Sequence, residues 1–165
     1  MLNIYTERLE LKALSYDFLC AIMNNDKIII EDMGYKMDKN WPSEDIISAF
    51  PYFEQKMKNK QIDGFDIWMI IKKDSGTIIG DIGFKGEPNE LGEIEIGYAI
   101  VKDERCKGYC FEAVQALINW AFKHEKVKCI KAECLIDNMP SKRVLEKVGM
   151  TELKRDNKFI YWEVR

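Results

Sequence analysis

The sequence predicts one mixed α/β domain, with a central sheet flanked by helices. Its 165 residues suit a single domain, and no stretch rich in Pro, Gly or Ser divides residues 1–165. Three strand-like segments follow one another between residues 65 and 101. A long amphipathic helix, another strand and a shorter helix then follow between residues 108 and 148. This order, strands around crossover helices, is typical of a mixed sheet covered by helices.

The N-terminal third predicts one strand and two helices. Residues 7–13 alternate Leu9, Leu11 and Ala13 with charged residues, which is the pattern of a half-buried strand. Residues 17–25 have a helical pattern, whereas residues 26–42 show no clear period. Ser43 is a good helix N-cap, and we expect the helix that it begins to run to about residue 60.

The rest of the chain predicts six strands and two further helices. Strands are expected at 65–73, 77–85, 92–101, 128–136, 150–155 and 158–164. Apolar residues recur at three- and four-residue steps over 108–124, which indicates a helix that is buried along one side. A second helix at 140–148 has Pro140 in its first turn and Gly149 as its cap.

Composition and charge exclude several classes of protein. The 25 basic and 28 acidic residues leave a net charge of -3, which does not favour a nucleic-acid partner. No run approaches the roughly 18 apolar residues of a membrane span, and the N-terminus lacks the apolar region of a signal peptide. Five scattered cysteines without C-x-x-C spacing indicate reduced thiols rather than a metal site. We therefore expect a cytoplasmic protein with no membrane partner and no metal.

The segment from Glu93 to Glu112 carries the clearest chemical signal. A strand ends, a loop with Arg105 and Lys107 follows, and Gly108 opens the long helix. The free N–H groups and positive dipole end of a helix, beside two cations and a glycine, suit a pyrophosphate. A tight turn with solvated charges explains the same residues equally well. The segment matches neither the P-loop nor the dinucleotide fingerprint.

Four motifs in order make the chain resemble the GNAT N-acetyltransferases, in particular the RimJ/RimL branch that includes ribosomal-protein-alanine N-acetyltransferases. The segment from Arg105 to Cys110 is similar to the acetyl-CoA loop, Arg/Gln-x-x-Gly-x-Gly/Ala. Residues 6–11 (TERLEL), 79–84 (IGDIGF) and 95–98 (EIGY) resemble three strands of that branch, and residues 137–150 resemble the block that closes the cofactor site. The resemblance runs from about residue 6 to 163. It implies a mostly antiparallel mixed sheet of six to seven strands, splayed between strands 4 and 5, with about four helices.

The resemblance also implies a set of acetyl-CoA contacts. The pyrophosphate would bind backbone amides of Arg105, Cys106, Lys107, Gly108, Tyr109 and Cys110. Pantetheine would pair with the strand end at Ile100 and Val101, Asn138 would donate a hydrogen bond to it, and Ser141 would lie near the sulfur.

Two departures from the family pattern affect this assignment. Cys106 and Cys110 stand where small residues are usual, and Cys110 is expected to crowd the phosphate turn. Leu145 occupies the position at which many relatives carry a tyrosine acid, so Ser141 or water would return the proton to sulfur.

Acetyl transfer to an amine needs a base, because the amine must be neutral when it attacks. Glu93 and Glu95 lie on one face of their strand by its period of two. Glu95 is the first candidate for the base and Glu93 the second, although each is equally an ordinary exposed carboxylate. A backbone N–H near Ile100 would meet the oxyanion.

The acceptor site is expected from residues 26–64 and the loop at 85–91. Trp41 and Tyr35 are candidate pocket walls, with Glu93 beside them, although such aromatic residues more often belong to the core. The leading interpretation is an acetyl-CoA-dependent N-acetyltransferase, monomeric or homodimeric, that acts by direct attack in a ternary complex on an amine such as a protein N-terminus. The alternatives are acetylation of an aminoglycoside or polyamine, or a catalytically silent acyl-CoA-binding module.

Overall fold

A computed structural model describes residues 2–58 and 62–165, and the sheet within these residues is open and has nine strands. The strands are β1 (Asn3–Tyr5), β2 (Leu9–Ala13), β3 (Lys36–Met37), β4 (Ile67–Lys72), β5 (Thr77–Phe84), β6 (Glu93–Ile100), β7 (Cys129–Leu135), β8 (Thr151–Arg155) and β9 (Phe159–Val164). The helices are α1 (Tyr16–Met23), α2 (Lys27–Asp32), α3 (Glu44–Met57), α4 (Tyr109–Ala121) and α5 (Met139–Lys147), and a 3₁₀ turn spans Lys102–Glu104. The mixed α/β architecture predicted from the sequence is confirmed.

The sheet is mostly antiparallel, with strand order β1-β2-β4-β5-β6-β7-β9-β8 and β3 paired to β5. Only the β3–β5 and β6–β7 pairs among the described strands are parallel. β6 pairs with β7 over Glu93–Glu95 alone, although β6 continues to Ile100. The two strands therefore part after Glu95, which confirms the expected splay between the fourth and fifth predicted strands.

The strand count differs from the expected six to seven because two short strands carry no periodic signal. β1 pairs with β2 over three residues, and β3 contributes only Lys36 and Met37. A strand of two or three residues is too short to show alternation, so only its neighbour in the sheet defines it. The one-and-a-half-turn helix α2 was missed in the same aperiodic segment, residues 26–42.

Side-chain caps define the helix starts as expected. The Ser43 hydroxyl accepts a hydrogen bond from Ile46 N–H, and α3 ends at Met57 rather than near residue 60. Residues 59–61, the rest of the predicted helix, lie outside the described residues. Gly149 follows α5 at a φ of 84°, the left-handed conformation that glycine adopts without strain.

An apolar layer lies between the sheet and α4. Trp120 of α4 stacks near Trp68 and Phe84, and the ring of His124 packs 4.3 Å from that of Trp120. His124 is therefore half-buried at the end of the helix rather than fully solvated. This packing holds the C-terminal end of α4 against β4 and β5.

Candidate functional site

The loop before α4 is a tight turn that leaves the helix start uncapped by any side chain. Cys106 and Gly108 have φ angles of 61° and 85°, and Gly108 is the N-cap residue of α4. A side chain at residue 108 would bring its Cβ within 3.2 Å of the Arg8 guanidinium. Glycine at this position therefore lets the chain pass close to a cation. No side chain caps the first N–H groups of α4, and an anion site at these groups stays a prediction.

The two cations predicted in this loop brace it from within. Arg105 Nε donates to Ile100 O at 2.9 Å. Lys107 Nζ lies 2.8 Å from Glu104 Oε2, and this hydrogen bond raises the pKa of Lys107 against the opposing effect of burial. Both side chains thus hold the loop against the end of β6.

Arg8, which the sequence analysis did not assign to the site, is a third cation at this turn. Its Nη1 donates to Lys107 O at 2.9 Å, and its guanidinium carbon lies 4.6 Å from the centre of the Tyr109 ring. Arg8 and Lys107 are 99 residues apart in sequence. No local pattern reports such a contact, so the only available signal was the position of Arg8 within the TERLEL motif.

Glu112 anchors Arg8 to the first turn of α4. The carboxylate accepts hydrogen bonds from Thr6 Oγ1 at 2.6 Å, Arg8 N–H at 2.8 Å and Arg8 Nε at 2.7 Å. Burial alone would raise the pKa of Glu112, but these hydrogen bonds outweigh it and lower the pKa. Glu112 therefore ties the N-terminal strand to the cofactor loop and supports the site rather than acting in it.

Cys110 turns toward the protein interior. Burial raises the pKa of its thiol to about 12, and the side chain packs against the core. The thiol is therefore protonated at neutral pH and unsuited to carry an acetyl group. Crowding of the phosphate turn by Cys110 stays a prediction.

The free edge of β6 lies beside this turn. Lys85 N–H donates to Glu95 O, and Val101 N–H donates to Ile79 O at 2.9 Å, so alternate residues of β6 point their backbone groups toward β5. Residues 96, 98 and 100 then point theirs into the splay. Of the two residues predicted to pair with pantetheine, Ile100 faces the splay, and Val101 uses its N–H within the sheet.

Across the splay, the Tyr98 hydroxyl and Ser141 Oγ are 2.8 Å apart. Burial raises the pKa of Tyr98 well above its usual value, so this phenol stays protonated. Asn138 caps α5 by accepting from Ser141 N–H at 3.2 Å. The predicted residues Asn138 and Ser141 are therefore neighbours at the wall of the splay, and Tyr98 joins them.

Both candidate bases are held in ion pairs. Glu95 pairs with Lys85, whose pKa is raised by that hydrogen bond although burial works to lower it. Glu93 lies 2.8 Å from Lys131 and accepts from Asn89 at 3.4 Å, and the Lys131 hydrogen bond lowers the pKa of Glu93. Each carboxylate is thus paired with a lysine near the start of the splay.

A cavity of about 300 Å³ lies on the face of the sheet covered by α3. Its lining includes Asp45 from α3, Asp81 and Lys85 from β5 and its end, and Gly97 from β6. The cavity borders the stretch of β6 that the splay exposes. It therefore lies next to the predicted thioester slot and is the candidate acceptor cavity. A second cavity, of about 570 Å³, lies farther off between the β2–α1 junction, the end of α3 and the start of β4.

The three residues predicted for the acceptor site are not brought together around this cavity. Tyr35 packs edge-on against Phe18 and its hydroxyl accepts from Lys12. Glu93 lies beyond Glu95, away from the cavity lining. Trp41 is buried, and its Nε1 donates to Asp81 Oδ2 at 2.9 Å. Trp41 thus supports the cavity through Asp81 instead of forming its wall.

Asp81 is the site residue that sequence reasoning missed. It is 8% exposed and is the charged residue that the structure buries most deeply among the described positions. Burial raises its pKa to about 6, the Trp41 hydrogen bond works to lower it, and the nearby Asp45 adds to the rise. The available signal was an acidic residue in the middle of the apolar strand TIIGDIGF. Burial of a carboxylate is unfavourable for folding, so such a position indicates a structural or functional role.

Two absences complete the description. Within residues 2–58 and 62–165, no helix has the length and apolar character that crossing a membrane requires. The same ranges contain no group of three or more His, Cys, Asp and Glu side chains placed to hold a metal ion.

Comparisons with known proteins agree with this geometry. Residues 8–151 match the family described as the acetyltransferase (GNAT) domain. The chain is 42% identical over 163 residues to the uncharacterized N-acetyltransferase YjdG of Bacillus subtilis (strain 168), covering 98% of this chain and 97% of that protein.

Solved structures share the fold at low sequence identity. The ribosomal-protein-S5-alanine acetyltransferase of Vibrio fischeri aligns with a TM-score of 0.71 at 14% identity, covering 99% of this chain and 96% of that one. RimL, a ribosomal L7/L12 α-N-protein acetyltransferase in complex with coenzyme A, aligns with a TM-score of 0.70 at 15% identity, covering 99% and 97%.

Proposed function

Because the chain belongs to the GNAT family of N-acetyltransferases, we propose that it transfers an acetyl group from acetyl-CoA to a primary amine by direct attack in a ternary complex. The observation that carries the proposal is the parting of β6 from β7 after Glu95, next to the uncapped start of α4. A thioester needs an open slot and a pyrophosphate needs free N–H groups, and both lie at one end of β6.

The residues present fit acetyl-CoA, which supplies the acetyl group as a thioester. The turn from Arg105 to Cys110 offers backbone N–H groups, and the left-handed Gly108 leaves room above them. Arg8, whose charge is paired with Glu112, holds the same turn through its hydrogen bond to Lys107 O. The N–H of Ile100 faces the splay and is the candidate donor to the oxyanion.

We assign the proton acceptor to Glu95, with Glu93 as the second candidate. Glu95 is favoured because its partner, Lys85, lines the acceptor cavity, whereas Glu93 is held by Lys131 and Asn89 outside it. The ammonium form of the amine first gives one proton to the base, and the neutral nitrogen then forms the C–N bond as the C–S bond breaks. The nitrogen loses a second proton in this step, and the leaving sulfur gains one. Ser141, hydrogen-bonded to the protonated Tyr98, is the candidate to relay that proton, giving its own to sulfur and regaining the one that the nitrogen releases.

The acceptor is proposed to be a protein N-terminus, in line with a RimJ/RimL-type assignment and with the activity named for the Vibrio fischeri neighbour. A cavity of about 300 Å³ is at the small end for ligand pockets, and it suits an extended amine entering end-on. A polyamine meets the same condition and is the second candidate, whereas a bulky aminoglycoside fits less well. We further propose a cytoplasmic location, which the five unpaired cysteines support.

The first experiment is calorimetric titration of the purified protein with acetyl-CoA. We expect saturable binding at one site, followed by acetylation of at least one amine among an N-terminally free peptide, spermidine and kanamycin. Tight binding with no turnover on all three would favour a silent acyl-CoA-binding module. Absence of binding at high micromolar acetyl-CoA would overturn the enzyme proposal.

A further inference from the structure

The acceptor cavity contains a groove that runs along the β5–β6 pair. Residues opposite each other on antiparallel strands share a face of the sheet. The groove is made by three cross-strand pairs, which are Asp81 with Ala99, Gly83 with Gly97, and Lys85 with Glu95. The two central glycines leave its floor without side chains, so it spans about 14 Å from Glu95 to Ala99 at the usual rise per residue.

Asp81 closes the inner end of this groove with one oxygen still available. Its Oδ2 accepts the hydrogen bond from Trp41 Nε1 at 2.9 Å. Among residues 2–58 and 62–165, Oδ1 has no hydrogen-bond partner in the structure, and Asp81 lines the cavity. An oxygen that faces a cavity can accept a hydrogen bond from water or from a ligand that enters there.

The charges around the groove favour a cation. Glu95 neutralises the ammonium group of Lys85, which leaves Asp45 and Asp81 as the remaining charged groups of the lining. Asp45 lies near enough to act electrostatically on Asp81. The inner end of the groove is therefore negative and largely shielded from water, where a charge interacts more strongly than at the surface.

We propose that Asp81 binds the amino group of the acceptor as an ammonium ion, which makes cationic primary amines the substrate class of this enzyme. The inference rests on the proposed acetyl transfer for its reaction and adds the residue that selects the acceptor. Glu95 lies at the outer end of the groove, about 14 Å along β6 from the residue that pairs with Asp81, so the proton of the ammonium ion would reach it through water. Asp81 is thus a substrate-binding residue, and Trp41 is a positioning residue that acts through it.

The pH dependence expected of such a site follows from its surroundings. The charged and titratable groups on this face include Asp45 from α3 and Lys56 from the same helix, paired with Asp66 before β4. Lys85 lies at the outer end with its partners Glu95 and Glu133, and Lys12, bonded to Tyr35, lies two strands away. Burial raises the pKa of Asp81 to about 6, so binding of an ammonium ion is expected to weaken as the pH falls through that value.

Steady-state kinetics of Asp81→Asn test the inference. The variant keeps the shape of the side chain and an oxygen that can accept from Trp41, so the fold is expected to survive. We expect the KM for the best acceptor of the three-amine panel to rise about 10- to 100-fold, the value of a hydrogen bond to a charged group. The kcat and the acetyl-CoA affinity should stay within about threefold of wild type. Asp74→Asn, the same change in an exposed turn, should leave all three unchanged.

A binding measurement decides the case in which no panel amine is acetylated. The ¹³C NMR signal of the Asp81 side-chain carboxyl is the one that is absent from the spectrum of Asp81→Asn. This signal is followed through a pH titration in the presence of n-butylammonium or of n-butanol. We expect the ammonium ion to lower the pKa of Asp81 and the uncharged alcohol to leave it unchanged, even if the protein transfers no acetyl group. Equal behaviour of the two ligands, or an unchanged KM in an active Asp81→Asn enzyme, would overturn the inference. An unchanged KM in an active Asp81→Asn enzyme would still agree with the acetyltransferase proposal.

Discussion

The indole nitrogen of Trp41 donates a hydrogen bond of 2.9 Å to the carboxylate of Asp81, and this pair joins the segment before α3 to the centre of the sheet. The two residues are 40 positions apart, and both are buried. A charged group in such a place is unfavourable for folding, so the pair makes stability depend on pH.

Asp81→Asn is expected to stabilise the protein at pH 8. The pKa of Asp81 is raised to about 6 in the folded state, above its ordinary value of 3.8. The stability associated with its proton is therefore fully present below pH 4 and lost as the pH rises through about 6. The uncharged asparagine avoids this loss, which amounts to about 3 kcal/mol of unfolding free energy. Urea unfolding of both proteins at pH 4 and pH 8 checks the difference. An equal destabilisation of Asp81→Asn at both pH values would contradict the raised pKa of Asp81 as the source of the pH dependence.

Glu95→Gln is expected to lower kcat at least about tenfold, the lower range for a general base. Its ion pair with Lys85 is partly exposed and contributes about 0–1 kcal/mol, so the fold should be retained. Acetyl-CoA affinity, measured by calorimetry, should change little. Glu93→Gln is the matched control on the same face of β6. Wild-type turnover in Glu95→Gln would move the assignment to Glu93 or to water.

Gly97→Val is expected to block the acceptor without harming the fold. A Cβ at residue 97 meets no atom within 4 Å, so the free energy of unfolding should remain within about 0.5 kcal/mol of the wild-type value. The valine side chain would occupy the floor of the groove, and activity toward amines should fall with acetyl-CoA binding intact.

Gly80→Ala is the contrasting variant on the neighbouring strand. Its Cβ would lie 2.2 Å from Ala99 O, a backbone atom that cannot move aside cheaply. We expect a loss of about 1–3 kcal/mol in unfolding free energy. Similar stability of the two glycine variants would contradict the geometry described for β5 and β6.

Glu112→Gln is expected to destabilise the protein at neutral pH and to weaken acetyl-CoA binding. The change weakens the charged hydrogen bonds with Thr6 and Arg8, which corresponds to about 1–3 kcal/mol. Because the folded-state pKa of Glu112 is lowered, its stabilisation is present above the ordinary carboxyl pKa and is lost as the pH falls through the lower value. The melting temperatures of Glu112→Gln and of the wild type should therefore differ more at pH 7 than at pH 3. A deficit that persists unchanged at pH 3 would count against the ion pair as its source.

Local signals predicted most of the elements because their causes lie within a few residues. The alternation of residues 7–13, the Ser43 cap and the apolar period of α4 each depend on neighbours in sequence. The same reasoning failed for β1, β3 and α2, since elements of two to six residues show too few periods to detect. The cofactor turn could be anticipated because a strand, a glycine and a helix start are contiguous.

The acceptor side could not be anticipated in the same way. Trp41 and Tyr35 were predicted as pocket walls from their residue type, yet one supports Asp81 and the other packs against Phe18. Residue type reports that a side chain is large and apolar, but not which surface covers it. The cavity is lined by residues of β5 and β6 that face α3. Its lining therefore depends on how three segments, distant in sequence, pack together.

The sequence by itself determined the mixed α/β class, the order of the longer elements and the glycine turn before α4, because hydrophobic period, caps and glycine positions act locally. Only the tertiary structure decided that Arg8 and Glu112 brace that turn, that Lys85 pairs with Glu95, and that Asp81 is buried beside Trp41. These contacts join residues that are 10 to 104 positions apart. Burial and charge pairing depend on which segments meet in space, and that is set by the packing of the whole sheet.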